Sequence, residues 1–395
     1  MKLKLKPGII DRYMLRQFIQ TFVICFISLT GLYVVFDAFT NLEKFIECAE
    51  NNHVGLFSLV ASYYSYQTLF FFDLTAGMLA LTAAMFTITW IQRHNEMTAL
   101  LAAGVSRIRV ATPVMVAAAV IALLGTANRE LVMPHFRFEL NRTPYDPLGN
   151  KDMAMSPRID GMTNIMIDGK KTVASERKIV APNFLLKEPL AGYYKDDHIV
   201  AAEAYYQRAQ GDLPAGYLLK GVSEPKNIDK EPSLVVGDQL VVLTRSKQDQ
   251  RGRRDRSGLS DFLESGECFV ASGVDLDMII TKGAYASTPD LVRSLHNPSL
   301  GLGRDVETGI HARIMRPFSD LTLLFLGLPL VLTRDNKNIF VAIGLCVAVV
   351  SVFVLFSMSM QALATSHWIS PQFAVWTPLF IFVPIAVWMG HKMTW

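Results

Sequence analysis

The sequence predicts a polytopic α-helical membrane protein with six transmembrane helices, three on each side of an inserted all-β domain. Of its 395 residues, 51% are hydrophobic and only 18% are charged, which is too apolar for an ordinary soluble enzyme. The hydrophobic residues gather into runs close to the roughly 17 to 25 residues that span a bilayer. These runs are Phe18–Phe36, Leu74–Ile91, Val110–Ala127, Ile314–Leu332, Ile339–Leu355 and Phe373–Met389.

The spacing of the apolar runs divides the chain into three regions. We expect an N-terminal membrane half over residues 1–128, a hydrophilic block over 129–307 and a C-terminal membrane half over 308–395. Short β-branched or aromatic runs recur in the block between turn-forming residues, which predicts an antiparallel sandwich, incomplete barrel or jelly-roll-like domain. The predicted strands lie at Thr163–Ile167, His198–Tyr206, Tyr217–Val222, Ser233–Leu243, Cys268–Val274 and Leu276–Ile280.

Positive charge sets the expected orientation. Basic residues precede the first run, and Arg93, Arg107 and Arg109 lie between the second and third. Because short loops rich in Lys and Arg stay on the cytoplasmic side, both termini are predicted to be cytoplasmic and the hydrophilic block to lie outside.

Several classes of function are disfavoured by the sequence. A net charge of only +3 argues against a general nucleic-acid binder. Gly169-Lys170-Lys171-Thr172 lacks the upstream glycine of a phosphate-binding loop, and neither H-E-x-x-H, C-x-x-C nor G-x-S-x-G occurs, so we expect no catalytic residue, no metal site and no cofactor bound by this chain. Cys48 and Cys268 would both face an oxidising compartment, where their pairing is left open.

Two further segments invite a structural and a functional interpretation. Val54–Phe72 is aromatic but interrupted by polar residues, which predicts an interfacial segment whose Tyr63 and Tyr64 belong to an aromatic belt rather than to a ligand cage. The basic run 245–258 has almost no apolar side chain. It is predicted to be a solvated loop, with contact to anionic lipid headgroups as the alternative.

The most informative segment lies between the second and third runs, near residues 93–108. Leu100, Leu101 and Val105 recur at helical spacing and predict a short helix lying on the membrane, with Arg93, Glu96 and Ser106 toward water. A carboxylate displayed there can accept charge-assisted hydrogen bonds from a docking protein. An ordinary cytoplasmic turn explains the same spacing equally well.

Ionisable residues cluster near the outer membrane level, where they are costly unless they face a cavity or a partner. In one interpretation, Arg129, Arg313 and Arg316 bind the phosphates of a glycolipid, for which guanidinium groups are well suited. In the other, Arg316 forms a structural ion pair with Asp320 or Asp73. The structural pair is favoured for Arg316, and the role of Arg313 is left open.

The motif Arg93-x-x-Glu96-x-x-Ala99-Leu100-x-Ala102-Ala103-Gly104-Val105-Ser106 resembles a segment of the lipopolysaccharide-export permeases of the LptF/LptG family. The amphipathic opening Ile10-Asp11-Arg12-Tyr13, the three-plus-three spans and the β-rich outer block are similar as well. The resemblance covers essentially the whole chain.

The resemblance implies an ABC-transporter permease in the inner membrane, with its large domain periplasmic. Its expected partners are a second LptF/LptG-type permease, an LptB-like cytoplasmic ATPase dimer that holds ATP and Mg, an LptC/LptA-like periplasmic jelly-roll protein, and lipopolysaccharide or a related glycolipid as cargo. Glu96 would be the carboxylate seated in a groove of the ATPase, and Ala102, Ala103 and Gly104 would permit close packing there.

The chain departs from the family pattern at the outer end of the first helix. Members often carry basic residues there, whereas this chain has Asp37 and Glu43 beside the single Lys44, so the lipid it carries is left open. Two other classes compete with export: a membrane-anchored ligand-binding or signalling scaffold, and an intramembrane enzyme using Asp73 and Asp320 as a carboxylate pair.

Overall fold

The computed structural model consists of two compact units, one formed by Met1–Phe136 with Gly303–Trp395 and the other by Arg137–Leu302. We call them the membrane unit and the β unit. The structure describes residues 8–148, 155, 157–173, 176, 178–194, 197–211, 213–236, 239–246, 262–281, 285–301, 304–332 and 339–391. Residues 247–258 of the predicted basic loop lie outside the described residues, as do the lysines before Gly8.

The helices are α1 (Ile9–Thr40), α2 (Leu42–Asn52), α3 (Leu56–Arg93), α4 (Glu96–Ala102), α5 (Arg107–Ala127), α6 (Arg137–Leu140), α7 (Leu276–Thr281), α8 (Thr288–Leu295), α9 (Arg304–Leu332), α10 (Ile339–Thr365) and α11 (Pro371–His391). A π-helical turn, Asn128–Val132, continues α5. Six of these helices, namely α1, α3, α5 with its π turn, α9, α10 and α11, are long and apolar enough to cross a membrane. The predicted class, a polytopic helical protein with an inserted β domain, is confirmed.

Helix α3 is the central helix of the membrane unit. It packs against α1, α5 and α9, and Ala76, Ala80, Ala83 and Ala84 on its length are all buried. Small side chains let neighbouring helices approach closely where lipid offers no hydrophobic drive to association. Helix α1 differs, because only 6% of the residues in its most apolar stretch are buried within the chain.

The prediction of an interfacial segment at Val54–Phe72 is wrong. That stretch belongs to α3, which runs without interruption from Leu56 to Arg93. Its two adjacent tyrosines turn inward: Tyr63 and Tyr64 are 5% exposed, and the Tyr64 hydroxyl donates to Asp37 at 2.6 Å. Of the interrupting polar residues, Gln67 is buried, whereas Ser58, Ser62 and Ser65 are exposed. These two tyrosines therefore stabilise packing between helices and do not form an aromatic belt.

The β unit contains the strands β1 (Arg158–Ile159), β2 (Ile165–Val173), β3 (Lys178–Leu186), β4 (His198–Gln207), β5 (Gly216–Glu224), β6 (Leu234–Val236), β7 (Gln239–Leu243) and β8 (Cys268–Ala271). They form one sheet in the order β1-β2-β3-β4-β5-β8-β7-β6, and every pair in it is antiparallel. Alternate residues of β2, with Ile165 and Ile167 fully buried, face the core, as period-two alternation requires.

Three details of this unit differ from the sequence prediction. Leu276–Ile280 was predicted to be a strand but is the helix α7, since a run this short fits either structure. Strand β3 was missed because Pro182 interrupts its pattern. Cys48 and Cys268 are both buried and free, so the open possibility of a disulfide between them is not realised.

Candidate functional site

The segment between α3 and α5 forms a compact helical turn, which we call the coupling segment (residues 93–109). Asn95 adopts a left-handed conformation with φ of 61° before α4 begins, and Gly104 does so with φ of 82° after it ends. Met97 is buried, and Leu100, Leu101 and Val105 pack against the same core. The apolar face thus points inward, while Thr98, Ala99, Ala102, Ala103 and Gly104 are exposed.

Glu96 stands at the first position of α4 and has an intramolecular partner. The Tyr13 hydroxyl of α1 donates to its carboxylate, 2.9 Å from Oε2 and 3.3 Å from Oε1. The carboxylate is half-buried rather than fully turned to water as the sequence predicted. No local sequence signal could have identified Tyr13, which lies 83 residues earlier.

Further contacts connect the coupling segment to two other helices. Arg109 forms a 2.8 Å ion pair with Asp11 of α1. On the other side, Arg107 donates to the carbonyl of Leu332 at 3.0 Å and Gln92 to that of Val331 at 3.0 Å. These carbonyls belong to the last turn of α9, where a helix leaves acceptors without internal partners. The segment is therefore fastened to both membrane halves. Arg93 is exposed, and Ser106 caps α5 by accepting from the amide of Arg109 at 3.4 Å.

A second cluster of charges lies near the middle of α3, around Asp73. Asp73 accepts from Arg129 at 2.5 Å, and both side chains are less than a tenth exposed. Arg316 of α9 approaches the other oxygen of Asp73 at 3.4 Å and donates to the Asp73 carbonyl at 2.5 Å. Arg129 is placed by the π turn, whose Asn128 side chain donates to the Leu69 carbonyl at 2.9 Å. Such turns inside α-helices occur often at functional sites.

The other predicted charged residues are distributed around this cluster. Asp320 packs so closely against Gly77 that a Cβ added to the glycine would collide with its carboxylate. Among the described residues Asp320 has no hydrogen bond or ion pair, so Arg316 is paired with Asp73 and not with Asp320. Arg313 is half-buried on α9. Lys44 donates to Asn41 at 2.7 Å.

The arrangement favours electrostatic stabilisation over acid–base chemistry. A carboxylate that accepts from two guanidinium groups balances their charge, and its oxygens are already engaged by strong donors. Asp73 is in this position, and the described residues contain no hydrogen bond between it and Asp320. Nor do they contain a group of three His, Cys, Asp or Glu side chains placed to hold a metal ion. The geometry thus gives no support to an intramembrane carboxylate-pair enzyme.

The β unit contains an open pocket of about 480 Å³ whose wall is mainly, but not wholly, apolar. Its apolar wall includes Met162, Leu190, Val236 and Leu240. The first two lie in the connections after β1 and β3, and the other two lie in β6 and β7. A second pocket of about 380 Å³ is polar and includes Asp275. Burial raises the pKa of Asp275, because a carboxylate loses hydration there. The first pocket suits hydrocarbon, and the second suits polar groups.

A family model described as "Lipopolysaccharide export system permease LptF/LptG" matches residues 12–159 and 238–392, together more than half of the chain. The matched stretches include α4, the Asp73 cluster, five of the six long apolar helices completely and α1 from residue 12 onward. Residues 160–237, which contain β2 to β6, lie outside the match. No individual curated protein matches the sequence significantly.

Proposed function

Since the chain belongs to the LptF/LptG family of lipopolysaccharide export permeases, we propose that it is the membrane subunit of an ABC transporter. It extracts lipopolysaccharide or a related glycolipid from the inner membrane and passes it to a periplasmic β-jelly-roll bridge. A partner ATPase supplies the energy. The family match over both membrane halves is the observation that carries this proposal.

The coupling segment is the proposed docking point for an LptB-like ATPase dimer on the cytoplasmic side. The exposed side chains of α4 are small, so the groove of a partner can approach the helix backbone closely. Glu96 lies at the edge of this surface and is only half-buried. Its carboxylate has acceptor sites left for an Arg or Lys of the ATPase. ATP and Mg bind to that partner and not to this chain.

Helix α1 supports the proposal of a second LptF/LptG-type permease. Most of its apolar surface is not covered by the chain: Ile27 is 63% exposed, Phe36 67% and Phe39 74%. In a membrane such a face contacts lipid, a second permease, or a cavity shared between the two. If this face lines a cavity shared by two permeases, the lipid cargo in that cavity lies against α1.

The headgroup contacts are proposed for basic residues on α9 and just after α1. Arg129 is 7% exposed and committed to Asp73, which favours a structural role for it. Arg313, on the same helix as Arg316, is more accessible than Arg129. Lys44 lies just beyond the end of α1. We therefore assign headgroup binding to Arg313 and Lys44, and the acidic residues Asp37 and Glu43 beside Lys44 favour a lipid with fewer phosphates.

The β unit is the proposed exit for the cargo toward an LptC/LptA-like protein. Its first pocket has a mainly apolar wall, where acyl chains gain free energy by leaving water. The sheet ends at β1 on one side and β6 on the other. An edge strand can accept a strand from a jelly-roll partner by backbone hydrogen bonding.

Reconstitution tests the proposal. The chain, a second family permease and the LptB-like ATPase are placed in proteoliposomes containing lipopolysaccharide, and transfer to a soluble jelly-roll acceptor is followed by crosslinking. ATP-dependent transfer that is lost with Glu96→Ala is expected, whereas Thr98→Ser serves as a matched control on the same helix. Transfer without the ATPase, or unaffected by Glu96→Ala, would contradict the proposal.

A further inference from the structure

The first turns of α1 contact the coupling segment at two points, although the paired residues are 83 and 98 positions apart in the sequence. Tyr13 bonds to Glu96, and Asp11 pairs with Arg109. We propose that these residues form a latch in which Tyr13 is a positioning residue that orients the Glu96 carboxylate for the ATPase. The inference rests on the proposed docking function of Glu96.

Both ends of the Tyr13–Glu96 hydrogen bond are anchored in the protein core. Met14 directly follows Tyr13 and is fully buried, as is Phe18 one turn later. Met97 directly follows Glu96 and is 5% exposed. Since each neighbour is held in the same core cluster, neither partner can move far without moving its helix. Packing therefore fixes the backbone on both sides of the contact, and Tyr13, which is 43% exposed, reaches Glu96 from a set position.

The ion pair of Asp11 and Arg109, which joins α1 to α5, is the second contact of the latch. Asp11 Oδ2 accepts from Arg109 at 2.8 Å and from the amide of Gly8 at 2.9 Å. It thereby caps the start of α1 as well as binding α5. Arg109 is largely exposed, so the pair alone contributes little free energy. Its effect is to keep the first turn of α1 beside the coupling segment, where Tyr13 can reach Glu96.

A held carboxylate is a better docking group than a free one. A glutamate side chain loses rotamer freedom when a partner binds it, and a side chain that is already held loses less. The Tyr13 hydroxyl occupies one part of the acceptor capacity of the carboxylate, which has about four lone-pair sites. Tyr13 therefore pre-organises Glu96 without blocking it.

Two measurements on the full-length chain in lipid nanodiscs test the latch. The first needs no partner: hydrogen exchange of the amides of residues 97–103 is compared among wild type, Tyr13→Phe, Glu96→Ala and the double variant. We expect each single variant to raise exchange, and the double variant to raise it no further. Tyr33→Phe is the matched control, because it removes a hydroxyl from the same helix roughly 30 Å away.

The second measurement is the affinity of a purified LptB-like ATPase dimer. Tyr13→Phe should weaken binding about three- to tenfold, the range for losing an ordinary hydrogen bond, because the contact with Glu96 is exposed. Tyr33→Phe should leave binding unchanged. On the Glu96→Ala background, Tyr13→Phe should have no further effect. Wild-type affinity in Tyr13→Phe, or a loss that persists on the Glu96→Ala background, would overturn the positioning role.

The outcomes separate the latch from the proposed function. If the wild-type chain fails to bind the ATPase, or Glu96→Ala binds as well as wild type, the docking function fails and the inference falls with it. If Glu96→Ala weakens binding while Tyr13→Phe does not, docking stands and only the latch is overturned.

Discussion

Replacing Asp73 by asparagine should destabilise the membrane unit far more than the same exchange at Asp320. Asp73 forms an ion pair with Arg129 in which both side chains are less than a tenth exposed. A neutral asparagine at this position would leave the buried Arg129 charge without its ion-pair partner. Asp320 has no ion-pair partner among the described residues, so the change to asparagine there removes no pair.

The magnitude follows from burial. Removing one partner of a buried pair costs about 3 to 5 kcal/mol. Asparagine keeps one acceptor oxygen, so we expect a loss at the lower end of this range, ~3 kcal/mol. The contact with Arg316 adds little, because that side chain is 33% exposed and its 3.4 Å contact is long. For a unit of this size, ~3 kcal/mol corresponds to a Tm about 6 to 12 °C lower.

The assay is thermal unfolding of the full-length chain in detergent micelles, followed by tryptophan fluorescence. Asp320→Asn is the matched control, with an expected change within about 1 kcal/mol. The double variant Asp73→Asn with Arg129→Gln should recover part of the loss, because no isolated buried charge remains. Equal melting temperatures for Asp73→Asn and Asp320→Asn, or a double variant less stable than Asp73→Asn, would refute the reasoning.

Three further predictions address other parts of the chain. Gly77→Ala should lower the Tm in the native background, because the alanine Cβ would collide with the Asp320 carboxylate. In the Asp320→Ala background the same change should raise the Tm, since the collision is gone and alanine is the better helix former by ~1 kcal/mol. A fall in both backgrounds would contradict the close packing of Gly77 against Asp320. Burial raises the pKa of the Cys268 thiol, so Cys268 in the native chain should resist labelling by maleimide at pH 8. The mass of the chain should also stay the same on reduction, because a rise would reveal a disulfide between Cys268 and Cys48. Hydrogen bonds from the Gly266 amide and the Ser265 hydroxyl lower the pKa of Asp229 below 3.8. The stabilisation from these bonds is therefore present above pH 3.8 and lost as the pH falls through the pKa of the folded state. Amide hydrogen exchange at residues 264–267, corrected for intrinsic rates, should rise below that pH in wild type, and a rise equal to that of Ser265→Ala at every pH would contradict this prediction.

The number and class of elements could be predicted from the sequence because they depend on local composition. Six apolar runs marked six helices, and alternating runs marked most strands of the sheet. The helix ends could not be predicted in the same way. Leu56 to Phe72 is polar enough to suggest a surface segment, yet it continues α3, because its tyrosines find partners such as Asp37 on a neighbouring helix.

The candidate site was predictable only in part, for the same physical reason. The amphipathic spacing of Leu100, Leu101 and Val105 indicated a short helix on the membrane surface. The structure has the helix α4 in this segment and packs these three side chains against the core of the membrane unit. The position of α4 on a membrane surface stays a prediction. The partner of Glu96 lies on α1, and the buried pair of Arg129 depends on a π turn. Neither leaves a local pattern, because both arise from helix packing between distant parts of the chain.

The central claim, that the coupling segment is where a cytoplasmic ATPase docks, is tested most directly by site-specific photocrosslinking. A photoreactive residue replaces Thr98, which is exposed on α4, and in a control Phe57, which is 87% exposed at the opposite end of α3. With the LptB-like ATPase and a second permease present in membrane vesicles, an adduct with the ATPase is expected at position 98 and none at 57. An adduct at 57 but not at 98 would contradict the account.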